Sequence, residues 1–248
     1  MQRQSHGKTS PPPNHHFYIH QEMKVETFQC NPFQEQCYVI WDETSKRCLV
    51  VDPGMCTDWE WERIHRFIQQ KELTPDAVLI THNHSDHVMG TGYLTNAYPG
   101  LPVYGSMEDQ NHLPTIPMQN RFFGVDAEVH YAPITRNLMD GDTLSFPIEA
   151  QDGIAQHRIE VLDCPGHSHH GLCYYFPDDR ILFSGDVLFY CSIGRTDFGM
   201  AMGGNGPLLV KSINSKLMPL PPETKVYPGH GPMTTIETEA NYNPYLYY

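Results

Sequence analysis

The sequence AVLITHNHSDH at 77–87 places four potential metal ligands directly after an apolar run that is typical of a buried strand. His82 and His84 alternate, and Asp86 and His87 follow after one further residue. Side chains two apart on an extended chain project to one side, and a tight turn brings the next pair round to meet them. We therefore expect two adjacent cations, with His82 and His84 on the first and Asp86 and His87 on the second.

Three later turns offer further ligands, and each follows an apolar run that is typical of a strand. His167 lies in DCPGHSHHG after RIEVLD, Asp186 lies in FSGDVLF after RILF, and His230 lies in VYPGHGP after KVY. Loops beyond strand ends are where α/β folds build their binding sites. Histidines that merely solvate a turn would not share this placement, so these turns are predicted to converge on the stretch at 77–87.

The combined set predicts a dinuclear metal centre with a bridging carboxylate. The two triads and the bridge are His82, His84 and His167; Asp86, His87 and His230; and Asp186. Such a site leaves room for a water between the cations, as catalysis requires. Imidazole and carboxylate ligands indicate two divalent ions, with zinc favoured and iron or manganese as alternatives. Asp86 and Asp186 are the candidate catalytic residues, because they would fix the orientation of that water.

From Met23 onward the sequence predicts two strand-rich halves, each followed by a helix. The runs VETFQC, CYVIW and CLVVDPG are typical of strands, and DWEWERIHRFIQQ has helical spacing with Thr57 or Asp58 as its N-cap. A helix is also predicted over Leu208–Leu217. This order predicts an α/β fold, a four-layer αββα sandwich of two mixed β-sheets with helices on the outer faces.

The remaining segments give weaker patterns. A short helix is predicted at about 88–96, whereas prolines and a glycine interrupt every period in 105–140, which is expected to be a surface excursion or a lid. Residues 1–22 are polar, contain a Pro triplet and show no periodicity. They are therefore predicted to be a flexible leader, followed by a single hydrolase domain at 23–248.

Composition excludes several classes of partner. A formal charge of −13 and a pI near 5.5 argue against nucleic-acid binding, which depends mainly on Lys and Arg. No run approaches the roughly 20 apolar residues of a membrane span, and the N-terminus lacks the apolar core of a secretory signal. The seven cysteines are scattered and odd in number, so most are predicted to be buried thiols in a reducing, cytoplasmic compartment.

The motifs THNHSDH, PGH, SGD and PGHGP, in this order, resemble those of the metallo-β-lactamase superfamily over about 23–248. Asp52 in VVDPG is similar to that family's first motif. Within the family, CSIGRTDF at 191–198 and YPGHGPMTTIETEANYNPYL at 227–246 resemble the short glyoxalase II-like hydrolases, which cleave thioesters such as hydroxyacylglutathione. The resemblance implies a dinuclear site, usually of zinc, carried by the seven residues named above.

The sequence also departs from that family. Glyoxalase II contacts glutathione with an added helical C-terminal region, which the sequence through 248 is not expected to provide, so the thiol half of the substrate is not implied. Ser168 is followed by His169 and His170 where small residues are usual. These two histidines are not expected to be ligands, because only His167 follows the PG of the motif.

Two further residues are candidates for support or substrate binding. Asp52 is expected to accept a hydrogen bond from a ligand imidazole or a backbone amide, or to serve the fold alone. Arg195 is a natural fork for a substrate carboxylate, although a turn held by an ion pair between Arg195 and Asp197 is the alternative.

The sequence therefore predicts a metal-dependent hydrolase in which a metal-bridging hydroxide attacks a small-molecule thioester or ester. Alternatives on the same scaffold are an iron-dependent persulfide dioxygenase, a lactonase and a β-lactamase. A metal-dependent binding or sensor protein is the alternative without turnover. Neither nucleic acid nor membrane is an expected partner, and the sequence leaves the oligomeric state open.

Overall fold

The computed structural model describes residues 22–126, 129–147 and 156–246, in which buried side chains form three clusters. The central cluster lies between two β-sheets, and the other two lie between each sheet and its outer helices. The predicted four-layer αββα sandwich is therefore confirmed. The predicted leader, apart from Glu22, lies outside the described residues.

The first sheet contains six strands that pair in chain order. These strands are β1 Lys24–Cys30, β2 Glu35–Trp41, β3 Arg47–Val51, β4 Thr74–Leu79, β5 Val103–Gly105 and β6 Arg136–Asn137. The first three run antiparallel, whereas β3 to β6 run parallel. Because β3 and β4 run parallel, their carboxyl ends lie at the same edge of the sheet. Asp52 directly follows β3 there, and the ligand-bearing part of the stretch at 77–87 follows β4.

The second sheet also has six strands, in the order β14–β13–β10–β9–β8–β7, and β11 and β12 form a separate hairpin. The strands are β7 Thr143–Phe146, β8 His157–Asp163, β9 Leu172–Phe176, β10 Ile181–Gly185, β11 Leu188–Phe189, β12 Ser192–Ile193, β13 Lys225–Pro228 and β14 Thr234–Thr235. Only β10 and β13 pair in parallel, so this sheet is mixed as well.

Side chains alternate between the layers along each central strand. On β2, Val39 packs toward the outer helices, whereas Ile40 packs toward the second sheet. On β9, Tyr174 points to the first sheet and Cys173 to the opposite outer layer. Both faces of these strands are buried, which explains why they are apolar runs without alternation in the sequence.

The helices cover the outer faces. They are α1 Asp58–Gln70, α2 Ser85–Val88, α3 Thr91–Ala97, α4 Met107–His112, α5 Ile116–Phe123, α6 Gly206–Ser212 and α7 Ile236–Tyr242. A 3-10 turn covers Met200–Met202, and a π-turn covers Ile213–Leu217. Within the part of the chain that the structure describes, no helix is both long and apolar enough to span a bilayer.

The two longer predicted helices form, and the second begins earlier than predicted. α1 begins at Asp58, and Thr57 Oγ1 accepts a hydrogen bond from Glu60 N at 3.3 Å. The helix predicted from Leu208 begins two residues earlier, because Asn205 provides the N-cap oxygen, and its last turn widens into the π-turn. Local capping chemistry therefore decides where both helices begin.

Two weaker predictions need correction. The single short helix expected at 88–96 is two helices, α2 and α3, separated at Gly90. The segment 105–140, expected to be a surface excursion or lid, instead contributes α4, α5 and strand β6. Its Asp109 and Gln119 side chains are buried beneath the loop that follows β4. Tertiary contacts stabilise these short helices, although the prolines interrupt their sequence pattern.

Candidate metal centre

The seven predicted ligands lie in turns at the carboxyl ends of β4, β8, β10 and β13. Two backbone hydrogen bonds hold these turns together, one between the two sheets and one within the second sheet. Leu172 N donates to Thr81 O at 2.7 Å, and Gly229 N donates to Gly185 O at 2.8 Å. The loop after β4 then enters α2 immediately, with His84 as its N-cap. The structure thus brings turns that are about 150 residues apart into one pocket.

The first triad is formed by His82, His84 and His167, all of which are buried. His82 Nε2 lies 3.2 Å from His167 Nε2, and His84 Nδ1 lies 2.9 Å from the same nitrogen. Unprotonated nitrogens this close present lone pairs to one another, which is unfavourable unless a cation lies among them.

The second triad is formed by Asp86, His87 and His230. Asp86 Oδ2 lies 3.7 Å from His87 Nε2 and 3.3 Å from His230 Nε2. Asp186 lies between the two triads. Its Oδ1 is 3.3 Å from His87 Nε2, and its Oδ2 is 3.4 Å from His167 Nε2 and 3.5 Å from His230 Nε2. One carboxylate therefore faces histidines of both triads.

Hydrogen bonds to the far nitrogens orient four of the five histidines. The acceptors are Thr81 Oγ1 for His82 Nδ1 at 3.1 Å, Asp52 Oδ2 for His87 Nδ1 at 3.0 Å, Arg195 O for His167 Nδ1 at 2.7 Å and Phe33 O for His230 Nδ1 at 3.1 Å. A proton held on Nδ1 leaves Nε2 with a free lone pair. Each of these four Nε2 atoms is then available to a metal.

Asp52 supports the metal centre through hydrogen bonds to Thr81 and His87. Its Oδ1 accepts a hydrogen bond from Thr81 N at 2.7 Å, and its Oδ2 accepts from Thr81 Oγ1 at 2.5 Å and from His87 Nδ1. Although Asp52 lies close to His82 and His87, its oxygens are already used. It therefore contacts a ligand imidazole and a backbone amide, and orients the loop.

Burial and charge set opposite protonation states in the two triads. Burial lowers the pKa of His82 and His167, and it lowers the pKa of His84 to about 3. These imidazoles are neutral, which is the form that binds metal. Burial also opposes the charge on His87 and His230, but the Asp186 carboxylate prevails and raises both pKa values. Without a cation, the second triad thus balances its carboxylates with protons.

The side chains present fit a pair of divalent cations. His87 Nε2 and Asp186 Oδ1 are buried and lie 3.3 Å apart, but neither makes a well-aligned hydrogen bond, although such polar atoms are normally satisfied. A cation in the second triad would satisfy both atoms and displace the protons of His87 and His230. Imidazole and carboxylate donors fit zinc, iron or manganese alike, so the donor set alone does not select the metal.

Glycines allow the two PGH turns to approach the centre closely. Gly166 has φ +130°, and a Cβ there would overlap the backbone of Leu209. A Cβ on Gly229 would overlap Asp186 Oδ1 and lie 2.6 Å from His87 Cε1. Any larger residue at Gly229 would displace the residues that face both triads.

Two residues that the sequence did not indicate hold the ligand loop. Asp109 accepts hydrogen bonds from Asn83 N at 2.8 Å and from His170 N at 2.9 Å. Gln119 accepts from Ser85 N at 2.9 Å and donates to Asn83 O at 3.1 Å. Ser106, the N-cap of α4, is a local signal near Asp109, but nothing in the sequence marks Gln119.

The other candidates lie at the edge of the centre or away from it. Arg195 forms a two-pronged ion pair with Asp197, with both contacts at 2.9 Å, and its side chain is exposed. His170 Nδ1 bonds to Asp163 at 3.1 Å, and the His169 ring lies 5.3 Å from that of His112, with 45° between the two planes. Neither histidine joins a metal-binding triad among the described residues.

A cavity of about 250 Å³ opens above the two triads. Its lining consists of four rings, one cation and five of the predicted ligands: Phe33, Phe123, Phe189, Phe198, Arg195, His84, Asp86, His167, Asp186 and His230. Among these described lining residues there is no Ser, Thr, Cys or Lys. The hydroxyl, thiol and amine nucleophiles of covalent hydrolases are thus not among these described lining residues.

Comparison with known proteins finds one family that matches most of the chain. The family model of the metallo-beta-lactamase superfamily matches residues 30–230. A probable metallo-hydrolase, YqgX of Bacillus subtilis, is 35% identical over 224 residues, which cover 90% of this chain and 98% of the relative. The hydroxyacylglutathione hydrolase GloC of Haemophilus influenzae is 33% identical and covers 90% and 98% of the two chains.

Solved structures resemble the whole fold. The B3 metallo-beta-lactamase BLEG-1 has a TM-score of 0.78 and 32% identity, covering 91% of this chain and 100% of its own. TTHA1623, solved in a di-iron-bound form, has a TM-score of 0.72 and 34% identity, covering 89% and 100%. Similar scaffolds thus occur with a β-lactamase and with a di-iron protein.

Proposed function

The chain belongs to the metallo-beta-lactamase superfamily, and from that premise we propose that it is a metal-dependent hydrolase that cleaves thioesters. The observation that carries this proposal is that Asp186 faces both triads, at 3.3 Å from His87 Nε2 and 3.4 Å from His167 Nε2. A shared carboxylate of this kind suits two adjacent cations and a water activated between them.

The predicted ligands divide the work of hydrolysis. His82, His84 and His167 would hold one cation, and Asp86, His87 and His230 the other, with Asp186 shared. Bound divalent cations would polarise the carbonyl and lower the pKa of a water from its high ordinary value towards about 7. The Asp86 and Asp186 carboxylates would accept hydrogen bonds from a water beside the cations and so orient it towards the carbonyl. Both carboxylates are positioned by the buried histidines around them.

The absence of a proton donor favours a thioester among acyl substrates. Once the ligands hold metal, Arg195 is the remaining ionisable group in the described lining, and its bond to Asp197 raises its pKa from an already high value. An amine must be protonated to leave, whereas a thiol of pKa near 8.5 leaves as a thiolate. The site therefore suits a leaving group that departs as an anion.

The relatives support the same proposal in broader terms. GloC, a hydroxyacylglutathione hydrolase, aligns over nearly the whole chain. Zinc is the proposed metal, with iron as the alternative because a similar structure holds two irons. The proposed substrate is a small molecule, since the cavity measures about 250 Å³ and the chain carries a formal charge of −13. The free, mostly buried cysteines support a reducing cytoplasm as its location.

A second candidate is β-lactam hydrolysis, favoured by the similarity to BLEG-1. Its leaving group is an amine, for which the described lining offers no proton donor. Nitrocefin turnover by zinc-loaded protein separates the two candidates. Thioester cleavage with nitrocefin turnover at least about 100-fold slower supports the proposal, since general-acid catalysis contributes that much.

The decisive experiment compares wild type with Asp186→Ala on a panel of thioesters, with metal content measured on the same samples. Asp186→Ala is expected to abolish turnover and to lower bound metal. Glu62→Ala, on the exposed face of α1, is the matched control because its carboxylate faces solvent. Full rate and full metal content in Asp186→Ala would show that the proposed role is wrong.

A further inference from the structure

Four phenylalanine rings wall the cavity above the predicted ligands, and the proposed chemistry uses none of them. Phe123 is the last residue of α5, and its ring centroid lies 5.8 Å from that of Phe33 and 5.7 Å from that of Phe198. Phe198 in turn lies 5.8 Å from the rings of His84 and His167. The rings therefore begin directly beside the first triad.

The fourth ring closes the opposite side. Phe189, at the end of β11, lies 6.0 Å from the His230 ring. Each of the four phenylalanines is only partly buried, so each exposes apolar surface. The neighbouring rings meet at steep angles, 77° for Phe33 and Phe123 and 83° for Phe123 and Phe198. Such a box presents both faces and edges, which favours an apolar or aromatic guest.

The same lining offers little to a polar acyl group. Apart from the predicted ligands, Arg195 contributes the polar side chain in the described lining, and its fork is bonded to both oxygens of Asp197. Its guanidinium also lies 4.6 Å above the Phe198 ring. A hydroxyl on the acyl chain would lose hydrogen bonds to water without gaining a side-chain partner there.

We infer that this phenylalanine box is an acyl-binding pocket for apolar acyl thioesters, with an aryl-acyl group such as phenylacetyl as the best fit. The inference rests on the proposed function and adds its acyl half. In the reaction, water adds to the acyl carbon and the carbon–sulfur bond breaks. The products are the carboxylate, the free thiol and one proton, so no oxidant or reductant is needed.

Phe123 is the specificity-determining residue that best tests the pocket, because it contacts two of the other rings. The test measures kcat/KM for phenylacetyl and lactoyl thioesters of one neutral thiol, N-acetylcysteamine. One methylene in an apolar pocket changes kcat/KM by roughly 10- to 200-fold, so wild type is expected to favour phenylacetyl by at least about 10-fold. Phe123→Ala is expected to remove most of that preference, so that the ratio of the two kcat/KM values approaches 1.

Two variants keep the comparison sharp. Met118→Ala is the matched control, since Met118 is on the same helix, is 59% exposed and does not line the cavity. Phe123→Leu keeps an apolar side chain at the end of the helix, and it provides the test if Phe123→Ala does not fold. This variant is expected to retain part of the preference for phenylacetyl. A lactoyl preference in wild type, or equal losses on both substrates in Phe123→Ala and Phe123→Leu, would overturn the inference.

A binding measurement separates this inference from the proposed function. Phenylacetate and propionate carry the same carboxylate and no second metal-binding group, so a calorimetric comparison of their affinities for the metal-loaded protein reports the apolar part of the acyl group alone. Phenylacetate is expected to bind at least about 10-fold tighter, and less so in Phe123→Leu. Tighter phenylacetate binding without thioester cleavage would leave the pocket standing and refute the proposed function. Equal binding would refute the pocket, whatever the enzyme hydrolyses.

Discussion

Asp52→Asn is expected to weaken metal binding in the second triad, where it acts directly on His87, more than in the first, which it reaches only through Thr81 Oγ1 and His82. Asp52 Oδ1 accepts from Thr81 N at 2.7 Å, which an asparagine oxygen would continue to do. The asparagine NH₂ then faces His87 Nδ1, 3.0 Å away in the wild-type protein, and donates to it. The proton of His87 moves to Nε2, so the ligand atom is lost. Asp52 has φ +47°, a conformation that asparagine tolerates well, and the fold should persist.

The size of this effect follows from the supporting role of the carboxylate. Removing the hydrogen-bond partner of a ligand histidine reduces metal affinity by about 10- to 100-fold, or about 1.4–2.8 kcal/mol. Zinc titration of the metal-free protein against a chromophoric chelator measures both binding steps. The Kd of the second triad is expected to rise by that factor, and the Kd of the first triad by less. The reasoning is refuted if both steps weaken equally, or if neither changes.

Three further predictions follow from the same contacts. Gly229→Ala is expected to lower metal content and turnover together, because its methyl group would displace Asp186; normal metal binding would contradict this. Gln119→Leu leaves Ser85 N and Asn83 O without partners and should cost about 2–4 kcal/mol of unfolding free energy in urea. The exposed neighbour Met118→Ala should cost under about 0.5 kcal/mol, and equal costs would refute the assignment. In the metal-free folded protein the pKa of His84 is about 3, below its ordinary value of 6.5. Neutral His84 therefore contributes to the free energy of unfolding at pH 6.5 and above, and this contribution is lost as the pH falls from 6.5 to 3. Urea unfolding should show the advantage of wild type over His84→Gln shrinking by about 2 kcal/mol between pH 6.5 and pH 5, whereas a constant difference would contradict the pKa.

The ligand turns and the layered fold could be predicted because their signals are local. Each turn combines an apolar run with a histidine or aspartate within a few residues, as at His82 and Asp186. Strands buried on both faces also remain recognisable as continuous apolar runs. These features depend on short-range patterns, so one sequence is sufficient to find them.

The supporting residues could not be predicted, because their roles depend on contacts between distant segments. Gln119 bonds to Ser85 across 34 residues, and Phe33 meets Phe123 across a still longer separation. Neither contact leaves a periodic pattern in the sequence. The prolines around α4 and α5 interrupted the helical pattern there, although packing against the ligand loop stabilises both helices. The π-turn at Ile213–Leu217 likewise has no local sequence signal.

Anomalous diffraction at the zinc edge, from crystals of the metal-loaded protein, tests the dinuclear centre most directly. Two peaks roughly 3.5–4 Å apart are expected, one among His82, His84 and His167 and the other among Asp86, His87 and His230, with an Asp186 oxygen within about 2.2 Å of each. A single peak, or a second peak that Asp186 does not contact, would contradict the account.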